Sequence, residues 1–209
     1  MINYFDLGLH SGLELRDMVT NVFPNLNIKS YKCYGFEASK HFADLNTKIY
    51  RDNPDVEIVH KAISDTHGEL IELYYMNPQI QPNQVGMSIF RTKNNAIDQF
   101  EKVETVKFSK WLLENVPNYE KDLNILKVNI EGAEYHLFKD MIENDILKHF
   151  PIMIGAGHDV DKISELDSKE YWKLVKDNNI DIKRYCSDWK PERNVDIMSL
   201  ISSCLVDNQ

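Results

Sequence analysis

Hydrophobic and polar positions along this chain fall into blocks that read as strand, turn and helix in succession. Residues 2–7 are a short apolar run, a buried strand ending at Asp6. A turn holding Gly8 and Gly12 follows, and Leu13, Leu15, Met18, Val19 and Val22 mark one face of a helix that stops before Pro24. Residues 31–37 predict a second buried strand ending in Glu37. Residues 38–49 predict a helix with Phe42, Leu45 and Ile49 inward and Ser39 as its cap. Residues 56–63 read as a third strand, 64–68 as a polar turn and 69–75 as the return strand of a hairpin. Residues 76–100 lack a period and hold Pro78, Pro82 and Gly86, the pattern of a mobile cover. Residues 103–108 predict a short strand with a helix starting at Ser109. Residues 123–134 then repeat the opening theme of apolar strand, polar end, glycine and helix. Residues 151–159 read as a fifth strand ending in the polar His158 and Asp159, residues 170–176 as helix, 180–186 as strand, and 195–205 as an antiparallel last strand.

This alternation predicts an α/β fold, a mostly parallel sheet of seven strands with helices on both faces. In a right-handed strand-helix-strand unit both strand ends lie on one edge of the sheet, so Asp6 and Glu37 face one crevice. The two glycines allow a sharp turn and a ligand's close approach to backbone. Their spacing is not Gly-x-Gly-x-x-Gly, so the dinucleotide fingerprint is absent. An acid ending the second strand can accept hydrogen bonds from both ribose hydroxyls of an adenosine-bearing cofactor; its alternative is a helix cap or a solvated carboxylate. In the later strand, alternation puts Lys127, Asn129 and Glu131 on one side and Val128 and Ile130 on the other.

With 209 residues the chain is expected to form one domain, because separate cores arise mainly beyond roughly 250 residues. Residue 2 already falls in the first core strand, so the chain is either a minimal form or a module of a longer polypeptide. No apolar run approaches the roughly 20 residues needed to span a bilayer. A net charge of −9 argues against a nucleic-acid partner. Cys33, Cys186 and Cys204 are odd in number and widely spaced, and are read as reduced thiols, consistent with a cytoplasmic location.

Four segments together resemble the FkbM family of S-adenosylmethionine-dependent methyltransferases: Asp6-Leu-Gly-Leu-His-Ser-Gly12, Tyr34-Gly-Phe-Glu-Ala38, Lys61-Ala-Ile-Ser-Asp-Thr-His-Gly68 and Leu126-Lys-Val-Asn-Ile-Glu-Gly-Ala-Glu134. The last is the most specific, and the four cover about the first two-thirds of the chain. The resemblance implies a Rossmann-like class I methyltransferase fold. It implies that Asp6, Gly8, His10, Ser11 and Gly12 line the methionine and ribose side of the cofactor, that Glu37 holds the ribose, and that Ala38, Ser39, Ala62 and Ser64 approach adenine. Asn129 to Glu134 are implied to sit beside the sulfonium and the acceptor. His10 stands where the family usually has Asn, and Asn129 where it usually has Asp, which removes a possible carboxylate ligand or base.

The activity implied is O-methylation of a sugar hydroxyl in a glycan or glycosylated natural product, with S-adenosylmethionine as methyl donor. Methyl transfer to a hydroxyl requires alignment of donor and acceptor and removal of a proton. His158 is the expected base, since imidazole titrates near neutral pH. Glu131, Glu134 or Asp159 is the alternative, as base or as ligands with His158 for a divalent cation. Asn129 and Lys127 complete the catalytic set, and Ser88, Arg91, Glu134 and Asp159 are expected to meet the acceptor, with Lys93 an alternative to Arg91. Two rival readings share the crevice, a nicotinamide-dependent oxidoreductase and a non-catalytic module binding an adenosine cofactor or a glycan.

Overall fold

The computed structural model describes residues 1–155, 159–164, 168–185 and 194–206. Strand β1 (Ile2–Leu7) is buried along its whole length and leads into helix α1 (Leu13–Asp17), a π-helical turn (Met18–Val22) and the short α2 (Phe23–Asn25). Helical geometry therefore runs past Pro24 instead of stopping before it. The proline stands at the start of α2, where a missing N–H does little harm. Strand β2 (Tyr31–Glu37) follows, then α3 (Lys40–Tyr50) and β3 (Val56–His60). On α3 the buried positions are Ala43, Asn46 and Tyr50, while Leu45 and Ile49 are exposed, so the expected inward face is rotated. Asn46 sets that rotation, because its amide must reach the carbonyl of His10, and Ser39 makes no capping bond.

The third predicted strand is broken at Lys61. Its second piece, β4 (Ala62–Ile63), leaves the main sheet and pairs parallel with Thr105 and Val106 of β6 (Ala96–Val106). Strand β5 (Leu70–Met76) pairs antiparallel with β6, not with residues 56–63, so the hairpin lies between β5 and β6 and residues 77–95 are its long tip. Residues 96–100, expected in the irregular segment, are strand. Helix α4 (Phe108–Asn115), β7 (Leu123–Val128), α5 (Glu134–Glu143), β8 (Ile152–Gly155), α6 (Ser168–Asp177) and the two-residue β9 (Lys183–Arg184) complete the alternation.

The final segment is helix α7 (Ile197–Val206) and not an antiparallel strand. Asp196 accepts hydrogen bonds from the Ser199 amide at 3.1 Å and its hydroxyl at 2.7 Å, which starts a helix, and Ile197 and Ile201 then fall one turn apart on the buried side. Among the described residues the main sheet has six strands and not the expected seven, in the order β3-β2-β1-β7-β8-β9 and parallel at every pairing, beside a separate three-stranded sheet, β4-β6-β5.

Helices cover both faces, as the alternation requires. Phe5 and Leu7 of β1 face α4 and α5 through Phe108, Trp111, Leu137 and Phe138. Ile2 and Tyr4 face α1 and α7 through Leu15, Met18, Ile197 and Ile201. With neighbours on both edges, β1 puts its C-terminal end where the order reverses, the place where open α/β sheets bind ligands.

Candidate active site

The loop after β1 is fixed by short-range polar bonds. Gly8 has φ +85°, and a Cβ there would lie 1.9 Å from the Asn129 carbonyl oxygen, so only glycine lets the two loops touch. Gly12, at φ +71°, packs as closely on Asn46. Glu37, buried at the end of β2, accepts hydrogen bonds from the His10 amide at 2.6 Å and the Ser39 amide at 2.7 Å. Burial pushes its carboxyl up to about 7 against the pull of those amides. Asp6 is fully buried opposite Lys127, the two 2.9 Å apart, and the Lys127 ammonium also donates to the Gly8 carbonyl at 2.6 Å. Burial raises the Asp6 carboxyl to about 6; Lys127 opposes the rise and Glu14 adds to it.

The loop after β7 is organised by Glu134, which accepts from the Ile130 amide at 3.0 Å and the Gly132 amide at 2.7 Å and is itself buried. Glu131 has φ +58°, a conformation that costs of order 1 kcal/mol outside glycine, and the Ser88 hydroxyl holds its carbonyl at 2.8 Å. Its carboxyl pairs with Lys93, whose ammonium also reaches Asp159 at 3.0 Å and the Gly86 carbonyl at 2.9 Å. Lys162 joins Asp159 at 2.5 Å. Burial, then a hydrogen bond to Asp159, raises the Glu131 carboxyl. Burial alone would raise Asp159 too, but the bond from Glu131 and the charges of Lys93 and Lys162 hold it well below the usual carboxylate range. Of the two carboxyls, Asp159 therefore gives up its proton more readily than Glu131.

These loops and residues 81–89 enclose a cavity of about 780 Å³. Gly8, His10, Ser11, Glu37, Ala38, Ala62 and Asn129 line one part of it, and Ser88, Glu131 and Asp159 another, with Lys127 also on the wall. Asp6, Gly12, Ser39 and Ser64 stand behind that wall: Asp6 is tied to Lys127, Gly12 to Asn46, Ser39 to Glu37, and the Ser64 hydroxyl donates to Asp65 at 3.1 Å. Glu134 likewise lies behind its loop. Arg91 is away from the cavity, on the surface, where it pairs with Asp98 at 2.6 Å; Lys93 points inward instead. His158 lies outside the described residues. Among the described residues no group of three or more His, Cys, Asp and Glu side chains is arranged to hold a metal ion; Glu131 and Asp159 lie together but share Lys93.

Residues 6–177 match the family model of the methyltransferase FkbM domain. The chain belongs to the FkbM methyltransferase family. No curated protein and no solved structure matches it. Strands β2, β3, β7 and β8 of the Rossmann-like sheet and the loops after β1, β2 and β7 all fall inside the matched span of this FkbM methyltransferase.

Glu14, Asn94 and Lys162, which sequence reasoning did not single out, also line the cavity, as does Arg184, which beside Lys183 reads in the sequence only as a small basic surface patch. Glu14 had a readable signal. It stands four residues before the buried Met18, so an acid occupies the core side of α1. Asn94, Lys162 and Arg184 carry no local signal, because only the pairing of distant segments brings them to the cavity. Among the described residues no helix is long and apolar enough to cross a membrane.

Proposed function

We propose that this FkbM methyltransferase transfers a methyl group from S-adenosylmethionine to a sugar hydroxyl of a glycan or glycosylated natural product. The observation that carries the reading is Glu37. It is a buried carboxylate at the end of β2 that faces a cavity of about 780 Å³, next to bare backbone at Gly8, and a hydrogen bond to each oxygen leaves each a further lone pair. That donor and acceptor set fits an adenosine ribose. S-adenosylmethionine, when bound, supplies an electrophilic methyl group.

The chain's own residues do the rest. Glu37 accepts the ribose hydroxyls, Ala38 and Ala62 flank the adenine, and residues 8–11 with Asn129 hold the middle of the cofactor. The remaining wall mixes apolar side chains such as Met76, Val85, Met87 and Ile89 with polar ones, and Ser88, Asn94, Asn95, Glu131, Asp159 and Lys162 suit the hydroxyls of an acceptor. The Glu131 carboxylate takes the acceptor's proton, and Lys93 and Asp159 orient it. Lys127, ion-paired with Asp6, positions the first loop through Gly8.

Titration calorimetry with S-adenosylhomocysteine tests the cofactor half. Saturable binding weakened at least tenfold in Glu37→Ala is expected, and a wild-type protein that binds none ends the reading. Labelled methyl incorporation into a panel of rhamnose-, fucose- and hexose-terminated acceptors tests the other half. Incorporation into a non-sugar acceptor alone would replace the substrate class.

A further inference from the structure

Two glutamines stand in one turn of the hairpin tip, and the fold uses their side chains differently. The Gln84 side chain closes the turn: its oxygen accepts from the Met76 amide at 3.0 Å and its nitrogen donates to the Met76 carbonyl at 3.2 Å. Gln81 is held through its backbone, where its N–H donates to the Asn77 carbonyl at 2.8 Å and its carbonyl accepts from the Gln84 amide at 3.1 Å. The side-chain oxygen of Gln81 is buried and has no hydrogen-bond partner among the described residues, and Gln81 lines the cavity. Buried polar atoms are nearly always paired, so this one calls for a donor.

The surroundings of that oxygen restrict where the donor comes from. Gly86 has φ +92°, and a Cβ there would lie 3.2 Å from Gln81 Oε1, 3.4 Å from Lys93 Nζ and 3.5 Å from Glu131 Oε2. The bare Cα of the glycine thus lets three polar groups converge on one place in the cavity wall. Lys93 cannot serve Gln81, because its three N–H groups are taken by Glu131, Asp159 and the Gly86 carbonyl. Glu131 has no proton to offer while it acts as base. The donor must therefore belong to the molecule in the cavity, and it must reach Gln81 while another group of that molecule reaches Glu131.

We propose that Gln81 selects the acceptor by accepting a hydrogen bond from a hydroxyl on the carbon next to the one being methylated, so that the cavity takes a vicinal diol. The inference rests on the methyl-transfer reading above and deepens its acceptor half. The methylated oxygen gives its proton to the Glu131 carboxylate and an electron pair to the sulfonium methyl, whose bond to sulfur breaks with its electrons left on sulfur. The neighbouring hydroxyl keeps its proton, in the hydrogen bond to Gln81. An isolated hydroxyl, or one flanked by an ether, leaves the buried oxygen unpaired and is rejected. One methyl group per diol is the expected product, since the first methylation removes one of the two donors.

Ligand-observed NMR titration of the full chain, saturated with S-adenosylhomocysteine, tests this with the methyl glycosides of rhamnose, fucose and glucose and the monodeoxy analogues of each. At least one parent glycoside should bind, and removing either hydroxyl of one adjacent pair should weaken it about tenfold or more in wild type. Gln81→Leu should bind that parent about tenfold more weakly, and should bind one of those two deoxy analogues within about twofold of wild type, because donor and acceptor are then lost as a unit. A Gln81→Leu protein that binds the parent like wild type, or that loses as much as wild type with every deoxy analogue, overturns the assignment. So does a variant weakened equally for S-adenosylhomocysteine, which would put Gln81 at the cofactor. If the variant does not fold, wild type decides: tolerance of every single hydroxyl loss overturns the diol. Binding of S-adenosylhomocysteine but of no glycoside removes the sugar reading together with this one, whereas sugar binding indifferent to Gln81 removes this one only.

Discussion

Lys127 and Lys93 are both buried ammonium groups paired with acids, yet their positions give them different work. Lys127 meets Asp6 across two paired strands, in the interior, with Gly8 as its further acceptor. Replacing it by Met leaves a buried carboxylate uncompensated, a loss of roughly 3–5 kcal/mol. Urea melts of Lys127→Met should show that loss, and Asp6→Asn added to it should recover part; a melt within about 1 kcal/mol of wild type would refute the pairing. Lys93, which like Lys127 lines the cavity, serves the loop after β7, where its charge opposes the upward push on Glu131. If Glu131 must lose its proton to act as base, methyl transfer rises with pH. In Lys93→Met that rise should move to higher pH, and an unmoved profile would take Glu131 out of proton transfer. Lys127 was legible in the sequence as a polar residue ending a strand, but strand alternation could not tell a cavity wall from a buried ion pair.

Elements show the same division between what a local pattern carries and what distant pairing decides. β1, β2 and β7 are continuous apolar runs because both their faces are covered, so they were readable from the sequence alone. The β5–β6 hairpin was not, because a 19-residue tip separates strands whose partners cannot be inferred from alternation. α7 was misread as a strand since its Ile, Leu and Met content suits either state, and the deciding feature is the cap at Asp196. The hairpin tip is anchored over the cavity by the Asn83 carbonyl near His10 Nε2 at 3.3 Å and by Ser88 on the Glu131 carbonyl. If residues 77–95 are a cover, hydrogen exchange of their amides should slow on addition of S-adenosylhomocysteine. Exchange that is indifferent to ligand would leave them an ordinary loop.

For the whole molecule, the buried acids link stability to pH. Asp6 and Glu37 titrate at about 6 and about 7 in the folded chain, chiefly through burial, against roughly 4 when unfolded. The folded state therefore retains protons that the unfolded state releases. The stability these groups contribute is fully present below about pH 4 and is lost as pH rises through 6 and 7, on the order of 3 kcal/mol for each. Denaturation of the ligand-free protein at pH 5 and pH 8 should show wild type losing more stability over that interval than Glu37→Gln. Equal losses would mean Glu37 is not the group titrating.

The central place of β1 has a consequence for how the protein is made. Its first edge finds residues 31–37 soon after they leave the ribosome, but its second edge waits for residues 123–128. At roughly 5–20 residues per second that wait is on the order of ten seconds. For that time an apolar strand edge is open to stray pairing, and the catalytic pocket does not exist. Nascent chains arrested before residue 123 should be cut readily by protease in residues 2–37, and those arrested well past 155 should resist; protection of the shorter chains would show that the first half holds together without β7.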